Sequence, residues 1–254
     1  MVSCKSAREI KIMREAGKIV AKTLSLIESL LQPGVTTIHL DEESEKFILS
    51  NQAIPVFKGY RGFPASICTS INEEIVHGVP SDRKLCEGDI LSVDIGVRYQ
   101  GYVADAAKTF PVGKISKAAQ NLLNVCQECL RLGIEAARIG NRISDISRAV
   151  QSHAESHNYS VVRDYTGHGV GLEMHEDPQV PNYVDKSWAS YDLKLKNGYC
   201  LAIEPMVNIG TYRTKTARRR GWDVVLTRDN ASSAHFEHTI AVEEKGPSIL
   251  TLPD

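Results

Sequence analysis

Apolar residues recur every three or four positions through residues 7–31. Ile12, Ala16, Ile19, Val20, Thr23, Leu24, Ile27 and Leu31 fall close to one helical face. Gln32-Pro33-Gly34 ends that helix. A second helix is predicted over 37–52, with Thr37 as its N-cap and Asp41 and Glu42 in the early turns, where carboxylates oppose the helix dipole. Residues 54–70 carry Pro55, Gly59, Gly62 and Pro64 and read as loop and short strand. Residues 90–97 and 102–112 read as paired strands joined by Arg98-Tyr99-Gln100-Gly101. Helices follow at 116–138 and at 144–157, the latter starting at Ser144 and Asp145. Strand patterns return at 159–165, 199–204, 222–226 and 236–243. Each half therefore runs helix, helix, strands, an α+β order compatible with a duplicated unit. No linker interrupts it, so residues 1–254 are expected to form one domain.

The chain has 254 residues, enough to bury a sizeable core without disulfides or metal staples. Thirty basic residues against 31 acidic ones give a net charge of -1, so no overall field points to nucleic acid as the ligand. No apolar run approaches the ~20 residues of a membrane span, and the charged N-terminus has no signal-peptide core. Six cysteines without a framework pattern are expected to be reduced thiols in a cytoplasmic protein.

Four carboxylates stand in apolar surroundings. A hairpin centred between Tyr99 and Gln100 sets Asp94 directly opposite Asp105, where two anions repel unless a divalent cation lies between them. Two exposed aspartates, or a bulge that parts them, is the plainer alternative. Glu204 sits in Cys200–Val207 and Glu237 in His235–Val242, both apolar segments in which a buried carboxylate needs a partner. A buried salt bridge would satisfy either one. His168, between Gly167 and Gly169, offers an imidazole, the commonest nitrogen ligand of divalent ions, and His77 repeats the His-Gly pattern at a strand end. Four carboxylates and one imidazole suit a dinuclear hydrolase better than a structural zinc site. Cys126 and Cys129 form a CxxC, but inside a helical pattern and with no second ligand pair nearby.

The segments REAGKIVAKTL, SINEEIVHGVP, GDILSVDIGVRYQGYVADAAKTF, GHGVGLEMHEDPQVPNY, AIEPMV and SAHFEHT, in this order, resemble signatures of the methionine aminopeptidases of type I, metallopeptidases of the M24 family. The resemblance covers nearly the whole chain. It implies the pita-bread (creatinase/aminopeptidase) fold, α+β, with a pseudo-two-fold antiparallel sheet flanked by helices. It implies Asp94, Asp105, His168, Glu204 and Glu237 as ligands of two divalent metal ions (Co, Mn, Fe or Zn), with Asp105 and Glu237 bridging both. His77 and His175 match the histidines that touch substrate, and Tyr60, Phe63, Cys68 and Trp222 match positions lining the methionine pocket. Simple core packing is the alternative role for these four.

The implied activity is removal of the initiator methionine from nascent polypeptides when the next residue is small, through a water or hydroxide shared by the two ions. In this scheme Glu204 moves the proton, His175 meets the developing oxyanion and His77 holds the peptide beyond the scissile bond. The implied partners are nascent chain N-termini, with ribosome association through the basic run 213–220 in view, and no membrane or specific nucleic acid. A monomer is expected. The rival readings are a related pita-bread Xaa-Pro peptidase and a non-catalytic binding protein on the same scaffold. Residues 183–197 and 210–221 match no recognised pattern.

Overall fold

The computed structural model describes residues 2–185 and 192–253. The first half opens with α1 (Ala7–Leu30) and α2 (Thr37–Ser50), followed by β1 (Ile54–Pro55), β2 (Cys68–Ile71), β3 (Glu74–Val76), β4 (Ile90–Tyr99) and β5 (Tyr102–Pro111). The second half opens with α3 (Lys117–Ala136) and α4 (Ile143–Ser156), followed by β6 (Ser160–Val161), β7 (Gly167–Gly169), β8 (Glu176–Val180), β9 (Cys200–Ile203) and β10 (Met206–Asn208). It closes with β11 (Thr214–Arg219), β12 (Trp222–Thr227), β13 (Ser233–His235), β14 (His238–Glu243) and β15 (Gly246–Ile249).

Helix α1 begins where predicted because Ser6 caps it: its hydroxyl accepts from the Glu9 N–H, and Glu9 accepts in return from the Ser6 N–H at 2.7 Å. Val20, Leu24 and Ile27 of its apolar face join a cluster with Ile48 of α2 and Leu91, Val93 and Ile95 of β4. The cap of α2 is Thr36 and not Thr37. Thr36 accepts from the His39 N–H, while the Thr37 hydroxyl turns away to the Ser81 backbone. Helix α4 starts one residue before the predicted Ser144: Asp145 reaches back to accept from the Arg142 N–H at 2.8 Å.

Strand β4 is central in the first sheet, with β5 on one edge and β1 and β2 sharing the other; all pairs are antiparallel. The second sheet runs β15-β14-β9-β7-β8, also antiparallel, and α3 and α4 pack over its Leu201, Ile203 and Ile240. Two three-stranded sheets, β13-β10-β6 and β11-β12-β3, flank these.

The two halves meet along β5 and the β13–β14 segment in a reciprocal pattern. The Thr109 hydroxyl accepts from the His235 N–H (2.9 Å) and donates to the His235 carbonyl (2.8 Å). The Thr239 hydroxyl accepts from the Asp105 N–H (3.0 Å) and lies 2.9 Å from the Asp105 carbonyl. Between them the Glu237 N–H donates to the Ala107 carbonyl at 2.8 Å. This is a pseudo-two-fold relation written in hydrogen bonds.

Four strand predictions need correction. The β4–β5 turn is the two-residue Gln100-Gly101 (φ 47° and 88°), which moves the hairpin centre along the chain. Asp94 therefore faces Ala107, and Asp105 faces Gly96. Of the segment 236–243 only His238–Glu243 is strand (β14), with Phe236-Glu237 parting it from β13, and 159–165 shrinks to β6. Residues 210–221, which match no recognised pattern, contain β11, which pairs with β12 around Arg220-Gly221 (φ 48° and 81°). Of the unmatched loop 183–197, residues 186–191 lie outside the described residues.

Candidate active site and metal centre

Asp94 and Asp105 still share a face, because a register change of two residues preserves side-chain parity. They sit diagonally rather than opposite, a separation that carboxylates span. Cys68 of β2 pairs with Asp94 on the other edge of β4. His168 is on β7, wedged between β8 and β9. A Cβ at Gly167 would stand 2.4 Å from the Ala202 carbonyl oxygen, and one at Gly169 would stand 2.2 Å from the Asp177 carbonyl oxygen. Close approach is thus the reason for both glycines; neither has a positive φ. Glu204 follows β9 directly, and Glu237 occupies the break between β13 and β14, where the chain steps out of the ladder.

Asp105, His168 and Glu237 bring one ligand atom each to within 4.8 Å of one another, all three residues buried. The His168 ring settles what this cluster suits. Its Nδ1 lies 2.9 Å from the Gly169 carbonyl, which only accepts, so Nδ1 carries the proton. In the neutral ring this makes Nε2 the acceptor, and it stands 3.5 Å from Asp105 Oδ2 and 3.5 Å from Glu204 Oε1. Acceptors facing acceptors at that spacing fit a cation between them.

Burial first, and then Asp105, holds the Asp94 carboxyl well above the usual carboxylate range. Burial followed by Asp94 and Asp105 does the same for Glu204, and burial followed by Asp105, Glu204 and Asp94 for Glu237. No lysine or arginine among the described residues forms an ion pair with any of the four carboxylates. The salt-bridge alternative is thereby removed. The donor set of carboxylates and one imidazole fits divalent ions.

All the predicted site residues line one cavity of about 550 Å³. Phe63 and Trp222 meet edge to face, centroids 5.3 Å apart. Burial, and then Asp94, pushes the Cys68 thiol well up, so it is a neutral, soft surface rather than a thiolate. His77 follows β3 with φ 63°, an unusual conformation for a residue other than glycine, and stands edge-on to Tyr165. Gly78 lets it sit there, since a Cβ would fall 2.0 Å from the Thr69 carbonyl oxygen. Burial lowers His77 to about 4, and burial followed by His168 and Arg61 lowers His175 to about 3; both rings are neutral at neutral pH. The Tyr60 hydroxyl lies 2.9 Å from His175 Nδ1.

Sequence reasoning missed His235. It is buried, with Nε2 3.7 Å from Glu204 Oε2, and that nitrogen has no hydrogen-bond partner among the described residues. Its only signal was its place in SAHFEHT. Arg61, Met174 and Tyr165 also line the cavity. The CxxC is core packing: the Cys126 thiol points at the Pro205 and Ala234 carbonyls and Cys129 at that of Val150.

These features define a pita-bread hydrolase scaffold with a buried acidic centre. The prolidase from Pyrococcus furiosus has the same fold, with a TM-score of 0.77 over 99% of this chain and 66% of that one, at 22% identity. The chain belongs to metallopeptidase family M24, whose profile matches residues 11–244. Within that family it is 54% identical to a methionine aminopeptidase of Clostridium acetobutylicum, over 99% of both chains. It is 50% identical to methionine aminopeptidase 1 of Bacillus subtilis, again over 99% of each. The crystal structure of methionine aminopeptidase from Rickettsia prowazekii superposes with a TM-score of 0.95 at 42% identity, covering 99% of this chain and all of that one.

Proposed function

We propose that this chain is an exopeptidase of the type I form that removes the N-terminal methionine from nascent proteins and peptides whose next residue is small. The observation that carries the reading is the His168 tautomer, with its lone pair and two carboxylates turned on one point, beside a pocket of aromatic and thiol surface. Asp94, Asp105, His168, Glu204 and Glu237 would hold two divalent ions (Co, Mn, Fe or Zn). Ions bound there supply Lewis acidity towards a carbonyl and a water made acidic near neutral pH.

The rest is the work of side chains. Tyr60, Phe63, Cys68 and Trp222 take the unbranched thioether, which packs well on aromatic edges and soft sulfur. His175, neutral and at the cavity wall, donates to the carbonyl oxygen as it gains negative charge. His77 holds the peptide beyond the scissile bond. Glu204, at the cavity wall beside His168, carries the proton from water to the leaving nitrogen.

On this reading the protein works in the cytoplasm as a monomer. No helix among the described residues is long and apolar enough to cross a membrane. The exposed basic strand β11, with Lys215, Arg218 and Arg219, is where contact with the ribosome would fall.

The test is release of methionine from Met-Ala-Ser, set against Gly-Pro and other Xaa-Pro peptides, before and after chelation and with Co²⁺ or Mn²⁺ restored. Methionine release that chelation abolishes is expected. Full activity in the chelated protein, or preference for Xaa-Pro, overturns the reading.

A further inference from the structure

Tyr60 is held across the cleft by a closed loop. Its one-turn helix, Tyr60–Gly62, is entered through Gly59 (φ 85°) and continues through Arg61 (φ 50°) and Gly62 (φ 90°), all left-handed. Nothing lies within 4 Å of a Cβ built at Gly59 or Gly62, so their requirement is conformational and not spatial. The loop closes on itself through Gly59 N–H to the Phe63 carbonyl (2.8 Å) and Phe63 N–H to the Tyr60 carbonyl (2.9 Å). The result is a phenol hydroxyl 2.9 Å from His175 Nδ1, with ring centroids 5.5 Å apart. The His168 ring lies 4.3 Å, centroid to centroid, from that of His175.

A neutral imidazole has one N–H and one lone pair, and the partner at Nδ1 decides which nitrogen has which. A phenol is a much stronger acid than an imidazole N–H, and an imidazole nitrogen is a much stronger base than a phenol oxygen. The hydrogen bond therefore runs from Tyr60 O–H to His175 Nδ1, leaving the proton of His175 on Nε2.

The neighbouring ring shows the opposite device. His168 has a carbonyl at Nδ1, which forces the proton there and bares Nε2. Two histidines in contact thus carry opposite tautomers, one offering a lone pair and the other a donor.

We propose that Tyr60, besides walling the side-chain pocket, is a positioning residue that holds His175 as its Nε2–H tautomer, so that a hydrogen-bond donor faces the substrate carbonyl. The proposal rests on the reading of His175 as the oxyanion donor. Tyr60 acts through His175, so its hydroxyl matters to turnover and little to the fit of methionine.

The experiment uses zinc-loaded protein with ¹⁵N-labelled histidine. Two-bond ¹H–¹⁵N correlations distinguish the tautomers, and the His175 signals are assigned by their loss in His175→Ala. The wild type is expected to show Nε2–H at His175, and Tyr60→Phe a mixture of both forms. Nδ1–H in the wild type, or an unchanged pattern in Tyr60→Phe, overturns the proposal.

Turnover of Met-Ala-Ser gives the second readout. Tyr60→Phe should lower kcat about tenfold with KM within about twofold, and should have no further effect in the His175→Ala background. A full additional loss in that background overturns the proposal, because the hydroxyl would then act without His175. Wild-type turnover by His175→Ala would instead remove the oxyanion role on which the proposal rests, while the spectrum would still decide who sets the tautomer.

Discussion

Withdrawing the divalent cation from the cleft should destabilise the fold more at about pH 7.5 than at about pH 5.5. Asp94, Glu204 and Glu237 are the groups responsible. Burial and mutual repulsion raise all three in the cation-free fold. A raised carboxyl binds more protons folded than unfolded. Its contribution is complete below the unfolded values, about 3.9 for Asp and about 4.3 for Glu, and is lost as pH climbs through the raised folded value. The window therefore opens near pH 4 and extends upward. Each proton retained by the folded cluster tilts stability by about 1.4 kcal/mol per pH unit.

A bound cation reverses this, since its ligands must be deprotonated. For a chain of this size about 1 kcal/mol moves Tm by roughly 2–4 °C. The gap in Tm between metal-loaded and chelated protein should then widen by about 3–6 °C per pH unit for each proton displaced. Thermal melts by circular dichroism in Mn²⁺ or EDTA across that range measure the gap. Titration calorimetry in two buffers of different ionisation enthalpy counts the protons released. A gap that does not change with pH, together with no proton release, would refute the reasoning.

His175→Ala should lower kcat/KM on Met-Ala-Ser by roughly 10²–10³, the usual loss for one oxyanion donor; steady-state kinetics decide, and an unchanged value removes His175 from the chemistry. Phe63→Ala deletes the edge contact with Trp222 and should raise KM for methionyl peptides about tenfold with a smaller change in kcat. Gly17→Ala sets a Cβ 2.2 Å from the Leu250 carbonyl oxygen and should cost about 1–3 kcal/mol in urea unfolding. Unchanged stability there would mean that the chain end yields freely.

Helix α1 was legible because its apolar face keeps one period and Pro33-Gly34 closes it, and α4 because a start signal follows Gly140-Asn141. The shared face of Asp94 and Asp105 was legible too, since parity survives a register change of two. Their diagonal placement was not. It depends on whether Tyr99-Gln100 or Gln100-Gly101 takes the left-handed turn, and one glycine serves either centring. Strand β11 left no signal: its exposed Lys215, Arg218 and Arg219 give no apolar alternation, and pairing with β12 makes it a strand. Glu204 and Glu237 announced themselves as charges in apolar runs. That they meet His168 was beyond any local pattern: the donor types suggested one set, and the family resemblance implied them as ligands. His235 stayed hidden because a histidine in a strand looks the same whether it faces a core or a carboxylate.

The acidic centre lies on the seam between the halves, so the seam has to resist the repulsion it houses. Asp105 is contributed by β5 and Glu237 by the β13–β14 break, and neither half alone carries both. Their spacing is set by Thr239 on the Asp105 backbone, Thr109 on the His235 backbone, and Glu237 N–H on the Ala107 carbonyl. Thr109→Val keeps the shape and deletes the hydroxyl, leaving the buried N–H and carbonyl of His235 without that partner. The cost should be about 1–3 kcal/mol. It should fall on metal affinity as well as on the fold, because Glu237 is two residues from the loosened backbone. Thr109→Ser, which keeps the hydroxyl, should retain the affinity. Calorimetric Mn²⁺ binding measures it directly; equal affinity in the Val and Ser variants would mean that the seam does not hold the centre together.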